Sequence, residues 1–302
     1  MQLPPQSPVF LNGFNGSTIQ FDMPSKISGR TYRIFVFEPD APPPPSGYPV
    51  VVTDGNLTFP LAATLATPFG LNVGKVAVVV GVGYSTDDYE TFTGLRNRDL
   101  TPSTPPSEGQ NAQACTSLGD YGGAGDFHRF LIEELLPAIA DGYSVNPHDR
   151  TLYGHSIAGM FTLNVLFNHP GSLRTFVASS PSIHWNERSV LKDEPSFVRK
   201  IQAGEAAPRV LILVGSKEQD VHHNLKYLPG MTHEQIEMMM SQWRMVDNAR
   251  ELGARLQQIR GRAGYLVRFR AFEDHDHLTA LPASIGQALA FALSPYSGIR
   301  KG

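Results

Sequence analysis

Arg150-Thr-Leu-Tyr-Gly-His-Ser-Ile-Ala-Gly159 is the stretch that decides the fold. A short apolar strand runs into Gly154, and Ser156 follows two residues later. An apolar helical run, Met160-Phe-Thr-Leu-Asn-Val-Leu-Phe167, begins at once. A strand that turns sharply into a helix needs small residues at the turn, because larger side chains there would strike the neighbouring strand and helix. Gly154 and Gly159 supply that room on either side of Ser156. Such a turn leaves the serine hydroxyl exposed at the top of a sheet, above a helix N-terminus. The pattern is G-x-S-x-[GA], with Ala158 in the last place and Gly159 directly after it. Ser156 is the candidate nucleophile; the plainer alternative is a serine that only caps its helix.

Outward from this turn, apolar runs alternate with helical patterns. Strands are expected at Ser17–Asp22, Thr31–Phe37, Tyr48–Thr53, Lys75–Val82, Thr151–Tyr153, Thr175–Ala178, Arg209–Val214 and Tyr265–Phe272. The central ones are continuous apolar runs, as expected of strands covered on both faces. Helices are expected at Phe127–Ala140, Gly159–Asn168, Glu194–Ala203, His233–Arg260 and Pro282–Leu293, with a crossover helix around Pro60–Ala66. Alternation of this kind specifies an α/β fold with a mainly parallel, twisted sheet and helices on both faces. No internal repeat or convincing linker marks a boundary. The chain therefore reads as one domain over 1–302, with a helical region over 186–260 interrupted by strand 209–214. Pro42 to Pro45 form a stiff loop that neither strand nor helix accepts. Residues 84–125 read as a long irregular excursion over the carboxyl edge of the sheet, where ligands of open α/β sheets bind. Its cluster Tyr121-Gly-Gly-Ala-Gly125 lacks the lysine and serine of a nucleotide-phosphate cradle.

Composition narrows the classes further. The 302 residues are 41% hydrophobic, enough for a sizeable core, and the formal charge of −3 lacks the bulk basicity of a nucleic-acid binder. No apolar run is long enough to span a bilayer. The single cysteine, Cys115, cannot form an intrachain disulfide. The start, Met-Gln-Leu-Pro-Pro-Gln, lacks the features of a signal peptide. The expected location is cytoplasmic, with a periplasmic alternative if a signal had been removed. Oligomeric state is left open.

Nucleophilic chemistry at Ser156 needs an imidazole to take the hydroxyl proton and a carboxylate to orient that imidazole. Strand 209–214 is followed by Gly215-Ser-Lys-Glu-Gln-Asp220, offering Glu218 and Asp220. Strand 265–272 is followed by Glu273-Asp-His-Asp-His-Leu278, offering His275 and His277. The chain order serine, acid, histidine is that of hydrolases built on this strand–turn–helix. As a metal site, the Asp-His-Asp-His segment is disfavoured: alternate residues of an extended chain face opposite ways, and no third ligand sits at a telling spacing. No metal or cofactor is expected. His222-His223 and His233 with Glu237 read as solvated, and Met238-Met239-Met240 as packing.

Several longer stretches resemble the siderophore-esterase branch of the α/β-hydrolases, the enzymes that open the trilactones of ferric enterobactin and bacillibactin. They are Gly29–Val36, Tyr48–Asn56, Arg96-Asn-Arg-Asp-Leu-Thr-Pro102, Gly122–Leu131, Gly154-His-Ser156, Ser179-Ser-Pro-Ser-Ile-His-Trp185 and Gly215–Gln219. The resemblance implies the α/β-hydrolase fold and a serine carboxylic-ester hydrolase acting through an acyl-enzyme on a small-molecule ester, here a catecholate siderophore trilactone. It implies Ser156 as nucleophile, Glu218 rather than Asp220 as acid, and His277 rather than His275 as base. The chain departs from the family at Ala158 and at His184, where relatives often carry tryptophan. Relatives also include feruloyl and other acyl esterases, so a broader esterase or acyltransferase is an alternative, and a ligand-binding pseudo-hydrolase is the non-enzyme one.

The oxyanion of such a reaction needs two backbone donors. Ile157, after the nucleophile, supplies one, and the turn Asp54-Gly55-Asn56 supplies the other, Asn56 first and Gly55 as alternative. Asp54 reads as a carboxylate that orients this turn. A ferric catecholate is anionic, so Arg96 and Arg98 are expected to bind it; the alternative is that one of them only pairs with Asp99. Trp185 is expected to stack on a substrate ring, or to wall the core.

Overall fold

The structure is a computed structural model and describes residues 7–8, 16–40, 47–104, 120–224 and 230–294. The Pro42–Pro45 loop and Cys115 lie outside the described residues.

Among the described residues nine strands form one sheet, most of them β-branched or aromatic runs: β1 Ser7–Pro8, β2 Gly16–Pro24, β3 Thr31–Pro39, β4 Tyr48–Thr53, β5 Ala77–Gly83, β6 Thr151–His155, β7 Thr175–Ser179, β8 Arg209–Gly215 and β9 Leu266–Phe272. Their order is β1-β2-β3-β5-β4-β6-β7-β8-β9. β1, β2 and β3 are linked antiparallel, and β3 runs antiparallel to β5. From β5 onward every pair is parallel.

The central strands divide their side chains between two cores, as the two-residue period of a pleated strand requires. Val51, Val78 and Val80 enter one core. Val50, Val52 and Val79 enter the other. The second core is covered by α1 (Gly55–Val73) and the last helix, Ala280–Leu293. The first is covered by α2 (Tyr89–Leu100), α3 (Ala124–Arg129) with a π-helical continuation over Phe130–Leu135, α4 (Leu136–Gly142) and α5 (Ile157–Asn168). A short α6 (Trp185–Arg188), α7 (Glu194–Gln202), α8 (Val221–Asn224), α9 (His233–Trp243) and α10 (Met245–Gln257) follow before α11, the Ala280–Leu293 helix. No helix among the described residues is long and apolar enough to cross a membrane.

Two expected boundaries are corrected. The 84–125 excursion is not irregular throughout: Asp88 accepts a hydrogen bond from Thr91 N–H at 2.8 Å and starts α2 inside it. Residues 105–119 of that stretch lie outside the described residues. The expected helix His233–Arg260 is two helices, because Arg244 adopts a left-handed backbone (φ 44°, ψ 44°) and breaks the ladder. Asn248 Nδ2 donates to the Trp243 carbonyl left free there, at 2.9 Å. The break places Trp243 and Met245 together on one cavity wall.

The β6–α5 turn explains why the pattern tolerates Ala158. A Cβ on Gly154 would collide with the Ala158 carbonyl, and one on Gly159 would lie 2.6 Å from the Ser179 carbonyl oxygen of β7. The crowded positions are 154 and 159. Ala158 instead points its methyl into the first core, fully buried.

Candidate active site

Parallel strands deliver their ends to one edge of the sheet, and the ends of β6, β8 and β9 each carry one reactive group. Ser156 stands at the β6 end with φ 64° and ψ −121°, a strained backbone that the following helix and two neighbours hold in place. Its N–H donates to the Ser179 carbonyl at 3.0 Å, and its own carbonyl accepts from Met160 and Ser182 N–H at 3.0 and 3.1 Å. His277 Nε2 lies 3.0 Å from Ser156 Oγ, and its Nδ1 lies 2.8 Å from Glu218 Oε2. The Glu218 carboxylate is buried, and its other oxygen accepts from Gly215 N–H at 2.6 Å and Ser180 Oγ–H at 2.5 Å. The carboxylate accepts at the near nitrogen of His277, which makes that nitrogen the donor of the ring. The far nitrogen is then free to accept the serine proton.

The loops that carry the acid and the histidine are knitted together. Ser216 N–H donates to the Phe272 carbonyl and Lys217 N–H to the His275 carbonyl, each at 2.9 Å. Asp276, beside the histidine, accepts from Leu278 N–H, Thr279 N–H and Thr279 Oγ through Oδ1, at 3.0, 2.8 and 2.8 Å. His223 Nε2 meets its other oxygen at 2.9 Å. Burial raises the Asp276 pKa, but the Thr279 and His223 donors outweigh it and hold the carboxyl at about 2.

Sequence reasoning missed this group and a second one. His223 was expected to be solvated, yet it braces the histidine loop. The Ser179-Ser-Pro-Ser182 stretch touches three parts of the site: Ser179 Oγ lies 3.0 Å from His155 Nδ1, Ser180 binds Glu218, and Ser182 Oγ lies 3.4 Å from Ser156 Oγ. The His155 ring lies 4.7 Å from the His277 ring at a 40° tilt, and burial, with the nearby His277 and Arg96, holds its pKa well below the usual imidazole value. The Ser-Pro-Ser motif was visible in the chain, but nothing in it says which atom each hydroxyl meets. The other candidates of the sequence fall away from the triad. His275 is half-buried, with Nδ1 against the Glu273 carbonyl, and Asp220 caps α8 by accepting from His223 N–H.

At the β4 end, Asp54 has a left-handed backbone (φ 53°) and precedes α1. The Leu57 and Thr58 N–H groups close on its carbonyl, which leaves Gly55 and Asn56 ahead of the first closed turn. The Asn56 side chain is committed to Tyr84, accepting from its N–H at 2.8 Å and donating to its carbonyl at 2.9 Å. Arg96 corrects an expectation: its Nε and Nη2 donate to both oxygens of Asp54, at 2.9 and 2.7 Å. Its charge is matched by a carboxylate in a largely buried pair, so it is not a cation presented to a substrate. Arg98 is half-buried, and its carbonyl accepts from Gly123 N–H. Asp99 instead lies 4.0 Å from Arg30. Neither Arg96 nor Arg98 lines the cavity above Ser156.

That cavity, about 440 Å³, is walled by aromatic and sulfur-bearing side chains, chiefly Tyr121, Trp185, Trp243, Met240 and Met245, with Ser156, Ile157 and His277 at its floor. Trp185 packs at 6.3 Å from Tyr121. No group of three or more metal-ligating side chains is found among the described residues.

This geometry can be set beside known proteins. The sequence model of the esterase family, described as "Putative esterase", matches residues 25–249. The chain belongs to that family. It is 35% identical over 278 residues to the ferri-bacillibactin esterase BesA of Bacillus subtilis (strain 168), covering 90% of this chain and 88% of that protein. It is 32% identical over 260 residues to the siderophore enterobactin esterase of Emericella nidulans, covering 80% of each. Among solved structures it resembles the BES protein from Bacillus cereus, with a TM-score of 0.76 and 28% identity over 96% of this chain and 99% of that one. The siderophore hydrolase EstA from Aspergillus nidulans gives a TM-score of 0.74 at 26% identity, covering 92% and 94%. The α/β-hydrolase fold and carboxylic ester hydrolysis expected from the sequence both stand.

Two outcomes follow from these interactions. Arg96→Ala leaves Asp54 buried without its partner, at a cost of about 3–5 kcal/mol of stability in the urea midpoint. It lowers kcat on neutral and anionic esters by the same factor, because the loss acts through the turn and not through substrate charge. The second concerns pH. Burial holds the His128 and His184 pKa values down at about 4, and that of His155 well below 6.5. The folded chain therefore binds fewer protons than the unfolded one as pH falls from about 6.5 towards 4, so stability present above pH 6.5 is lost through that window. His169, also lowered by burial, acts in the same direction, while Asp99, pushed up to about 6 by burial, and Glu38, also raised by burial, oppose it. Melting temperature should fall between pH 7 and pH 4.5, and fall less in His128→Gln.

Proposed function

We propose that this protein hydrolyses the ester bonds of a siderophore trilactone through an acyl-enzyme on Ser156. The observation that carries the reading is the continuous pair of contacts from Ser156 Oγ through His277 to the buried Glu218 carboxylate. Identity to the bacillibactin and enterobactin esterases supports the substrate class.

In this reading the Ser156 hydroxyl gives its proton to His277 Nε2 as Oγ attacks the ester carbonyl, and Glu218 stabilises the imidazolium. The oxyanion is met by Ile157 N–H at the start of α5 and by Asn56 N–H at the start of α1. Both amides lie at helix N-termini, where partial positive charge accumulates. His277 then protonates the departing alkoxide, and the acyl group stays on Ser156. Water, deprotonated by the same imidazole, attacks the acyl carbonyl, and the proton returns to Ser156 as the acid leaves. Three ester bonds of a cyclic trilactone open by repetition of this cycle. The aromatic wall formed by Trp185, Trp243 and Tyr121 suits flat acyl groups, and Trp185 is a binding residue on that wall. The electrostatic account differs from the one first expected, since Arg96 of α2 is paired with Asp54.

Ser156→Ala should reduce hydrolysis of p-nitrophenyl butyrate by at least about 10³-fold with an unchanged melting temperature. Wild-type enzyme, and not this variant, should convert ferric enterobactin-type trilactones to linear products on reversed-phase chromatography. Equal activity of the two proteins on both substrates would remove the reading.

A further inference from the structure

His184 lies between β7 and α6 and lines the cavity beside Trp185. Its ring lies flat on Trp243, centroids 4.9 Å apart and planes 15° from parallel. Nδ1 is sealed from solvent and has no hydrogen-bond partner. Nε2 is not sealed and makes no hydrogen bond within the protein, so it is the ring's accessible nitrogen. Burial, with the neighbouring His277, brings the ring's pKa to about 4, so near neutrality it carries one proton. Orphaned buried N–H donors are rarer in proteins than under-satisfied acceptors. The proton therefore sits on Nε2, and the cavity holds a neutral donor without a partner from the protein. A buried polar group of this kind lowers affinity for anything that leaves it unpaired and discriminates in favour of a ligand that pairs it.

We propose that His184 is a specificity-determining residue whose Nε2–H donates to an oxygen carried on the aromatic acyl arm of the substrate. The arm's ring sits against the Trp185 and Tyr121 side of the cavity, and the flat stack on Trp243 holds the imidazole in place. This rests on the ester-hydrolase reading above and adds to it a requirement on the acyl group: a ring bearing a hydrogen-bond-accepting oxygen, as in a catechol, is preferred over a bare ring.

The test compares p-nitrophenyl 2,3-dihydroxybenzoate with p-nitrophenyl benzoate, with p-nitrophenyl butyrate as a control. Wild-type kcat/KM should favour the dihydroxybenzoate about tenfold or more. His184→Phe keeps a flat ring on Trp243 and removes the donor. It should lose about 10–100-fold on the hydroxylated ester and less than about threefold on the other two. His184→Gln, which returns an N–H near the same place, should recover part of the preference. His184→Leu repeats the removal if the Phe variant does not fold, as judged by its melting temperature. Equal losses on the two aryl esters, no loss, or no preference in wild type alongside normal butyrate hydrolysis would overturn the role of His184 and leave the esterase reading standing. Absence of hydrolysis of all three esters by wild type would overturn both.

Discussion

A buried glutamate carboxylate holds the site together. Glu218 receives donors from three segments: the backbone of its own turn after β8, a serine after β7 and the histidine after β9. A carboxyl group in the interior is tolerated only when hydrogen-bond partners of this kind surround it. Its presence therefore fixes the relative positions of three loops that are far apart in sequence. The contacts from Ser156 through His277 to Glu218 follow from that constraint. Asp276, the residue before His277, gathers the Thr279 and Leu278 donors and the His223 ring, and so braces the loop that carries the imidazole.

A second carboxylate, Asp54, performs the corresponding task at the β4 edge. Its left-handed backbone turns the chain directly into α1, and the bidentate Arg96 fork holds that strained turn from α2. Together with the Asn56 side chain clasping Tyr84, it fixes the first amides of α1 at the same edge of the sheet as Ile157. Arg96 is thus committed to the scaffold, and the described wall of the cavity is largely aromatic and sulfur-bearing.

Much of this was legible in the chain. The strands of the parallel sheet were visible because buried strands write themselves as unbroken β-branched runs, and the serine turn because its close approaches demand glycine. Even the apparent defect at Ala158 is explained by geometry, since Gly159 meets β7 and residue 158 does not. Glu218 and His277 could be reduced to pairs of candidates by their places after strands; the choice within each pair came from family resemblance. What stayed hidden was partner choice. Arg96 has no sequence neighbour that reveals Asp54, 42 positions earlier. His223 reads as a solvated histidine until Asp276, 53 positions later, is brought beside it. The break at Arg244 was also invisible, because the amphipathic pattern continues on both sides of it.

The central claim is that Ser156 is made nucleophilic by a histidine whose orientation depends on Glu218. Reaction with a fluorophosphonate, followed by peptide mass spectrometry and timed labelling, measures that directly. The account predicts a single adduct on the peptide containing Ser156, forming about 10³-fold more slowly in His277→Ala and markedly more slowly in Glu218→Ala. An adduct elsewhere, or labelling of Ser156 at an unchanged rate when either partner is removed, would contradict it.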